Sequence, residues 1–304
     1  MKLASYLFIM VFSVWGQFAR GAEPLKVVTL STVLTDFVKN VGGDAVRITP
    51  MVKAGQDPHE FNPTVAQMRK MSEAKLIFAS GKGMEGYLQK LRDTSKGKTT
   101  IVDVGAAVPS IWGEETCDHG HGHHHHHSAD GKVEDPHWWH SIPNAITAVK
   151  AIRDALIKAD PARKNLFEKN AAAYIRQLEE LKKWADAQIA LIPRDKRILV
   201  TSHDALGYFG QDYGFKILAI DGLSTKDSPT SKRVADLIQT IKTERVKAIF
   251  AENISNPKVQ RQIEKETGAK LAGTLYADGL GKGDADTYIG MWRHNVSTIV
   301  GALK

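Results

Sequence analysis

The chain has 304 residues, of which 42% are hydrophobic and 25% charged, and its formal net charge is +7 at pH 7. These are the values of a globular chain long enough for two domains of ordinary size. The positive charges are spread along the chain rather than gathered in basic runs with interleaved aromatics, which argues against nucleic-acid binding. Cys117 is the only cysteine, so an intrachain disulfide is excluded.

The first 21 residues have the pattern of a secretory signal peptide. Lys2 precedes an apolar stretch, residues 3–15, that is too short to span a bilayer, and small residues from Ala19 to Ala22 surround a cleavage position. No later apolar run approaches membrane length. We therefore expect a periplasmic protein that does not span the membrane. Because no cysteine lies at the cleavage position, we also expect no lipid anchor.

Strands alternate with helices through residues 22–160. The sequence predicts strands at 25–30, 46–51, 75–79 and 100–104, and helices at 32–41, 64–73, 83–92 and 142–159. This alternation indicates βαβ units and a mainly parallel sheet. We interpret residues 22–160 as an N-terminal α/β lobe.

A long helix follows and then the alternation restarts. Apolar residues recur at helical spacing through residues 161–193, which Pro193 closes, and such a helix would be roughly 45 Å long. Strands are predicted at 197–201, 215–220, 246–251 and 270–275, and helices at 204–213, 230–243, 256–267 and 284–303. The fold class is therefore α/β: two lobes with mainly parallel sheets, the second at 194–304, joined by one rigid connector helix.

A histidine-rich loop is predicted at residues 113–134, inside the first lobe. Its Gly- and His-rich composition lacks apolar periodicity and cannot form a packed core. The position is internal, which argues against an expression tag. Weak metal capture or delivery and a neutral spacer both remain open, and Cys117 is either an incidental thiol or an auxiliary ligand. The candidate weak metal ligands are His119, His121, His123, His124, His125, His126 and His127.

Four other residues are candidates for one tight zinc site in the cleft between the lobes. His59 follows the strand at 46–51, His137 lies in the loop that closes the first lobe, His203 follows the strand at 197–201, and Asp278 follows the strand at 270–275. In open α/β sheets, ligands bind beyond the carboxyl ends of strands. Three neutral histidines and one carboxylate form a tetrahedral set that suits Zn²⁺.

Two further carboxylates are candidates to orient a ligating histidine or to replace Asp278: Glu252, at the end of the strand 246–251, and Glu60, beside His59. The remaining histidines are weaker candidates. His140 would have to share a helix start with Ser141, and we interpret His294, on the last helix, as structural.

Four ordered motifs resemble those of the metal receptors of bacterial zinc and manganese ABC importers. They are Asp57-Pro58-His59-Glu60-Phe61-Asn62-Pro63, Asp135-Pro136-His137-x-Trp139, Ser202-His203-Asp204-Ala205-x-Gly207-Tyr208-Phe209 and Asp278-x-Leu280-Gly281. The resemblance implies two α/β lobes joined by one long helix, a metal in the cleft and an ABC-importer permease as partner. It also implies that the histidine-rich loop belongs to the zinc-specific branch. Manganese receptors typically have Glu where His203 stands, which favours zinc here.

We therefore expect a receptor rather than an enzyme, since four protein ligands leave no position for a reacting water. A zinc buffer or adhesin without a permease is the alternative, and a zinc hydrolase or lyase would require Asp278 not to be a ligand. The chain lacks an HExxH helix, which many metallohydrolases contain. We expect a monomer, and a zinc chaperone as a second partner of the histidine-rich loop.

Overall fold

A computed structural model describes residues 23–95, 97–113, 132–225, 229–254 and 256–304. The strands in these ranges are β1 (Leu25–Thr29), β2 (Val46–Pro50), β3 (Leu76–Ala79), β4 (Thr100–Asp103), β5 (Trp112–Gly113), β6 (Val133–Glu134), β7 (Ile198–Thr201), β8 (Lys216–Ala219), β9 (Ala248–Glu252) and β10 (Lys270–Leu275). The helices are α1 (Thr32–Gly42), α2 (Val65–Ser72), α3 (Leu88–Ser95), α4 (Ile142–Ala159), α5 (Lys164–Ile189), α6 (Gly207–Tyr213), α7 (Ser231–Thr243), α8 (Lys258–Thr267) and α9 (Tyr288–Leu303).

The first lobe contains a parallel sheet with the strand order β2-β1-β3-β4. The Ser31 side chain caps the start of α1 by accepting the Leu34 backbone N–H, and Gly43 caps its end with a φ of 51°, which favours glycine. This strand order places the loops that follow β1, β2 and β3 at one edge of the sheet, since parallel strands all end on the same side.

The second lobe repeats the α/β plan. Strand β7 pairs in parallel with β8, and β9 pairs in parallel with β10. Strand β7 also packs against β9, so the two pairs lie side by side. The loops after β7, β9 and β10 therefore also meet at one edge.

Helix α5 is the long helix of the fold. Its 26 residues give it a length of about 39 Å, and it packs against α1, α4 and α9. Its buried face continues a hydrophobic core that includes Phe37 of α1, Trp138, Leu178 of α5 and Trp292 of α9. The prediction of two α/β lobes with mainly parallel sheets and one long helix is confirmed. The division of the chain at residues 160 and 193 stays a prediction.

Several local features differ from the sequence predictions, and among them α6 and α9 begin at Gly207 and Tyr288 rather than at residues 204 and 284. The helix predicted at 83–92 begins at Leu88, because Gly81, Lys82 and Gly83 all have positive φ and form a loop. Residues 161–163 form a 3₁₀ turn before α5. The antiparallel pair β5–β6 was not predicted, since strands of two residues carry no periodicity.

Among the helices of the described ranges, none is both long and apolar enough to cross a membrane.

Candidate metal centre

The four residues predicted as zinc ligands lie together. His59 belongs to the loop between β2 and α2, His137 immediately precedes a 3₁₀ turn before α4, His203 lies two residues after β7, and Asp278 lies three residues after β10. One donor atom from each lies within 4.8 Å of the others. All four residues are buried: their exposed fractions are 8%, 0%, 0% and 3%.

Four of the distances between these donor atoms are close to those of a tetrahedral metal site. His59 Nε2 and His137 Nε2 are 3.1 Å apart, and Asp278 Oδ1 lies 3.2 Å from His137 Nε2, 3.2 Å from His203 Nε2 and 3.6 Å from His59 Nε2. Zinc bonds of about 2.0–2.2 Å at tetrahedral angles place donor atoms about 3.3–3.6 Å apart. These four distances differ by no more than a few tenths of an ångström from those around a small divalent cation.

Asp135 fixes the orientation of the His137 ring. Its Oδ1 accepts the His137 backbone N–H at 2.8 Å and the His137 Nδ1–H at 2.8 Å. A proton on Nδ1 leaves the lone pair of Nε2 free to bind a metal. Pro136 stiffens the backbone between the two side chains.

Glu252 fixes the orientation of the His203 ring and uses both of its carboxylate oxygens to do so. Oε1 accepts the backbone N–H groups of Ser202 and His203 at 3.0 and 3.1 Å, and Oε2 lies 2.5 Å from His203 Nδ1. Glu252 is 3% exposed. Because the carboxylate accepts three N–H groups, it holds the backbone and the ring of His203 together.

Asp278 is held from the first lobe. The carbonyl oxygen of Ala277 accepts Trp139 Nε1–H at 2.9 Å and the Nε2–H of His140 at 2.7 Å. Asp278 Oδ2 is buried without a hydrogen-bond partner among the described residues. A bound cation would compensate this isolated carboxylate oxygen.

The metal-free centre is electrostatically coupled. Burial disfavours charged histidine, but Asp135 and Asp278 outweigh it and raise the pKa of His137 to about 9. Burial also opposes the charge of His203, yet Asp278 and Glu252 hold its pKa well above the usual value. Burial lowers the pKa of His59 despite the attraction of Asp278. Burial would raise the pKa of Asp278, but the neighbouring histidines hold it well below the usual value.

The other candidates fall outside this group. Glu60 is exposed, so the structure does not bring its carboxylate to the buried donors, and Asp57 rather than Glu60 bonds to His59. His140 donates to the Ala277 carbonyl instead of joining the four donors. His294 donates to the Thr274 carbonyl at 2.9 Å. The predicted weak ligands His119, His121, His123, His124, His125, His126 and His127 lie outside the described residues.

Sequence reasoning did not identify Asp57 and Asp135 as positioning residues. The available signal was the triplet Asp-Pro-His, which occurs at 57–59 and again at 135–137. In both copies the aspartate accepts the backbone N–H of the histidine two residues later, at 2.7 and 2.8 Å. Trp139 and His140 were also missed in this role, because their partner Ala277 lies far away in sequence.

Comparison with known proteins identifies relatives across nearly the whole chain. Residues 27–302 match the family described as zinc-uptake complex component A, periplasmic. The manganese-binding lipoprotein MntA of Bacillus subtilis is 34% identical over 289 residues, which cover 93% of this chain and 90% of that protein. The metal ABC transporter substrate-binding lipoprotein SloC of Streptococcus mutans is 30% identical over 317 residues, which cover all of this chain and all of that protein. The solved structure of the periplasmic zinc-binding protein TroA of Treponema pallidum matches with a TM-score of 0.82 and 27% identity, covering 92% of this chain and 99% of that one.

These relatives correct one expectation about location. We expected no lipid anchor, and the lipoprotein names of MntA and SloC contradict this, so that expectation is wrong. It depended on the absence of one residue type at one cleavage position within residues 1–22, which lie outside the described residues. A periplasmic or extracellular location fits the relatives.

The fold, the cluster of four buried donors and the match over residues 27–302 agree with one another. The chain therefore belongs to the zinc-uptake complex component A family, the periplasmic metal-binding receptors of zinc- and manganese-type ABC importers.

Proposed function

We propose that the protein captures Zn²⁺ outside the cytoplasmic membrane and delivers it to the permease of an ABC importer, with His59, His137, His203 and Asp278 as the ligands. The observation that carries this proposal is the set of three imidazole nitrogens and one carboxylate oxygen within 4.8 Å of one another. Family members are solute-binding receptors, and four protein donors leave no open position on a tetrahedral ion for catalysis.

The choice of zinc over manganese depends on the chemistry of the donors. Imidazole suits zinc, whereas carboxylate, carbonyl and water ligands suit manganese, which prefers more ligands in an octahedral arrangement. Only one of the four buried donors here is an oxygen. The relatives bind different metals by name, manganese for MntA and zinc for TroA, so the donor set of this chain carries the argument.

The histidine-rich loop has a separate role in this proposal. Its seven histidines from His119 to His127 would bind further zinc weakly and would accept it from a zinc chaperone. Replacing residues 114–131 by a short turn should therefore remove the weak equivalents and leave the tight one. Loss of the tight equivalent on this replacement would contradict the division of roles.

The test is a competitive titration of metal-stripped protein with Zn²⁺ against a chromogenic chelator, repeated with Mn²⁺. We expect one tight zinc equivalent that manganese does not displace at similar concentration. His203→Ala should weaken this equivalent at least a hundredfold, because both a ligand and its tautomer-fixing bond are lost. His294→Ala is the matched control, since His294 is half-buried on α9, outside the four donors, and donates to the Thr274 carbonyl. Equal affinity for manganese and zinc would refute the zinc assignment. An unchanged zinc affinity in His203→Ala would refute the site.

A further inference from the structure

His59 differs from the other three proposed ligands in how it is held. It is the most exposed of them, at 8%, and its loop runs from residue 51 to residue 64 without a strand or α-helix. A loop of this length has few backbone hydrogen bonds to keep it in place. The His59 corner is therefore the most exposed side of the centre.

The other ligands are fixed by buried bonds between the lobes. Asp278 follows Ala277, whose carbonyl accepts two N–H groups from Trp139 and His140. Near His203, the Tyr208 hydroxyl donates to the Pro109 carbonyl at 3.0 Å and accepts the Ile111 N–H at 3.3 Å. These bonds join loops of both lobes, so movement of His137, His203 or Asp278 would break several buried contacts at once.

One segment of the second lobe reaches across to the His59 loop. We name Gly222–Thr225 the bridging segment. It begins beside His203, because the Gly222 carbonyl accepts the Asp204 N–H at 2.9 Å. Leu223 is 7% exposed and covers Gly113 so closely that a Cβ on the glycine would lie 2.8 Å from Leu223 Cδ1. The segment is thus anchored at its start and packed in its middle.

The end of the bridging segment binds Asp57. The Thr225 hydroxyl lies 2.5 Å from Asp57 Oδ2, and Asp57 Oδ1 accepts the His59 backbone N–H at 2.7 Å. A single carboxylate therefore connects the second lobe to the backbone of the outermost ligand. Asp135, in the matching triplet, uses its Oδ1 for both the backbone and the ring of His137. It contacts the second lobe through its backbone carbonyl, 3.3 Å from the Tyr208 hydroxyl, whereas Asp57 does so through its carboxylate.

We propose that the Thr225–Asp57 hydrogen bond is a latch that holds the His59 loop over the metal and sets the rate at which metal enters and leaves. This inference depends on the proposed function, because it assumes that His59 is a ligand. Thr225 acts here as a positioning residue, through Asp57, and does not touch the metal. Because the bond closes the loop with or without metal, its loss accelerates binding and release together and changes the equilibrium affinity little.

The test measures zinc exchange in Thr225 variants. Protein loaded with one equivalent of Zn²⁺ is mixed in a stopped-flow instrument with excess chromogenic chelator, at concentrations where the rate no longer depends on the chelator. We expect dissociation to be about tenfold faster in Thr225→Val, as for loss of one charge-assisted hydrogen bond. The association rate, followed by tryptophan fluorescence, should rise similarly, so that the dissociation constant changes less than about threefold.

Two further variants separate the latch from a general effect on folding. Thr225→Ser keeps the hydroxyl and should exchange zinc at the wild-type rate, and Thr243→Val, on the exposed end of α7, should do the same. A Thr225→Val protein with unchanged exchange rates, or a Thr225→Ser protein as fast as Thr225→Val, would overturn the latch. Wild-type protein without a tight zinc equivalent would instead overturn the proposed function.

Discussion

Replacing Glu252 by glutamine should weaken metal binding through the tautomer of His203. The Glu252 carboxylate accepts backbone N–H groups from Ser202 and His203 on one oxygen and lies 2.5 Å from His203 Nδ1 with the other. A glutamine amide has only one oxygen. Whichever way it is oriented, its NH₂ group faces either the two backbone N–H groups or His203 Nδ1.

The second orientation costs less and disables the ligand. If the amide NH₂ faces Nδ1, the imidazole must carry its proton on Nε2, the nitrogen that points at Asp278 Oδ1 3.2 Å away. To bind a metal, the ring must then move its proton from Nε2 to Nδ1, which leaves the Nδ1–H and the amide N–H facing each other. An unsatisfied buried polar group costs about 1–3 kcal/mol, which corresponds to a loss of affinity of roughly 10- to 100-fold.

Asp135→Asn is the matched comparison. Asp135 accepts the backbone and the ring of His137 on the same oxygen, Oδ1, so an asparagine can keep both bonds. We expect it to lose affinity less than about tenfold, through the lost negative charge alone. Chelator-competition titrations at pH 7.5 of both variants and wild type give the three dissociation constants. Equal losses in the two variants, or a larger loss in Asp135→Asn, would refute the tautomer argument.

Three further predictions concern pH and backbone geometry. Because the metal-free pKa is about 9 for His137 and well above the usual value for His203, zinc should displace about two protons at pH 7 and bind more tightly as pH rises towards 9, which calorimetry in buffers of different ionisation enthalpy measures. Burial raises the pKa of Glu85 to about 7, so the folded state holds this proton more tightly than the unfolded state. The free energy of unfolding should therefore fall by on the order of 1–3 kcal/mol as pH rises from about 4.5 to 7, and thermal unfolding of Glu85→Gln should not show this trend. Gly81→Ala should cost about 1–3 kcal/mol in chemical denaturation, because φ is 75° and the new Cβ would lie 1.8 Å from Asp103 Oδ1.

Much of the fold could be predicted from the sequence because its elements carry local signals. The strand β3 is a continuous apolar run, and α4 follows the capping residue Ser141 and has Pro143 in its first turn. The start of α3 could not be predicted, since Lys82 takes a positive φ of 51° that depends on its surroundings: its ammonium group lies 2.7 Å from Glu134 and 2.6 Å from Ser110 Oγ. That arrangement exists only after distant segments meet.

The four donors of the candidate centre could be predicted because each carries a local signal, whereas their supporting contacts could not. A histidine or aspartate after a strand is visible in the sequence, and parallel strands bring such residues to one edge. The partners that orient them depend on pairs of loops: Ala277 with Trp139, and Thr225 with Asp57. These pairs join residues more than a hundred positions apart, and no local pattern marks them.

Under the proposed function, the charges around the centre would be balanced similarly with and without the bound cation. Three buried carboxylates, those of Asp135, Glu252 and Asp278, surround the histidine nitrogens of the cluster. In the metal-free state, protons on His137 and His203 supply two positive charges, as the raised pKa values of both residues indicate. A bound divalent cation supplies the same two charges when it displaces those protons. The net charge of the buried group is then equal in both states, so exchange of the metal for two protons leaves no further carboxylate uncompensated. Under the proposed function, release would exchange the metal for two protons, and we expect both to pass at the His59 side of the centre, where the Thr225–Asp57 bond joins the loop to the second lobe.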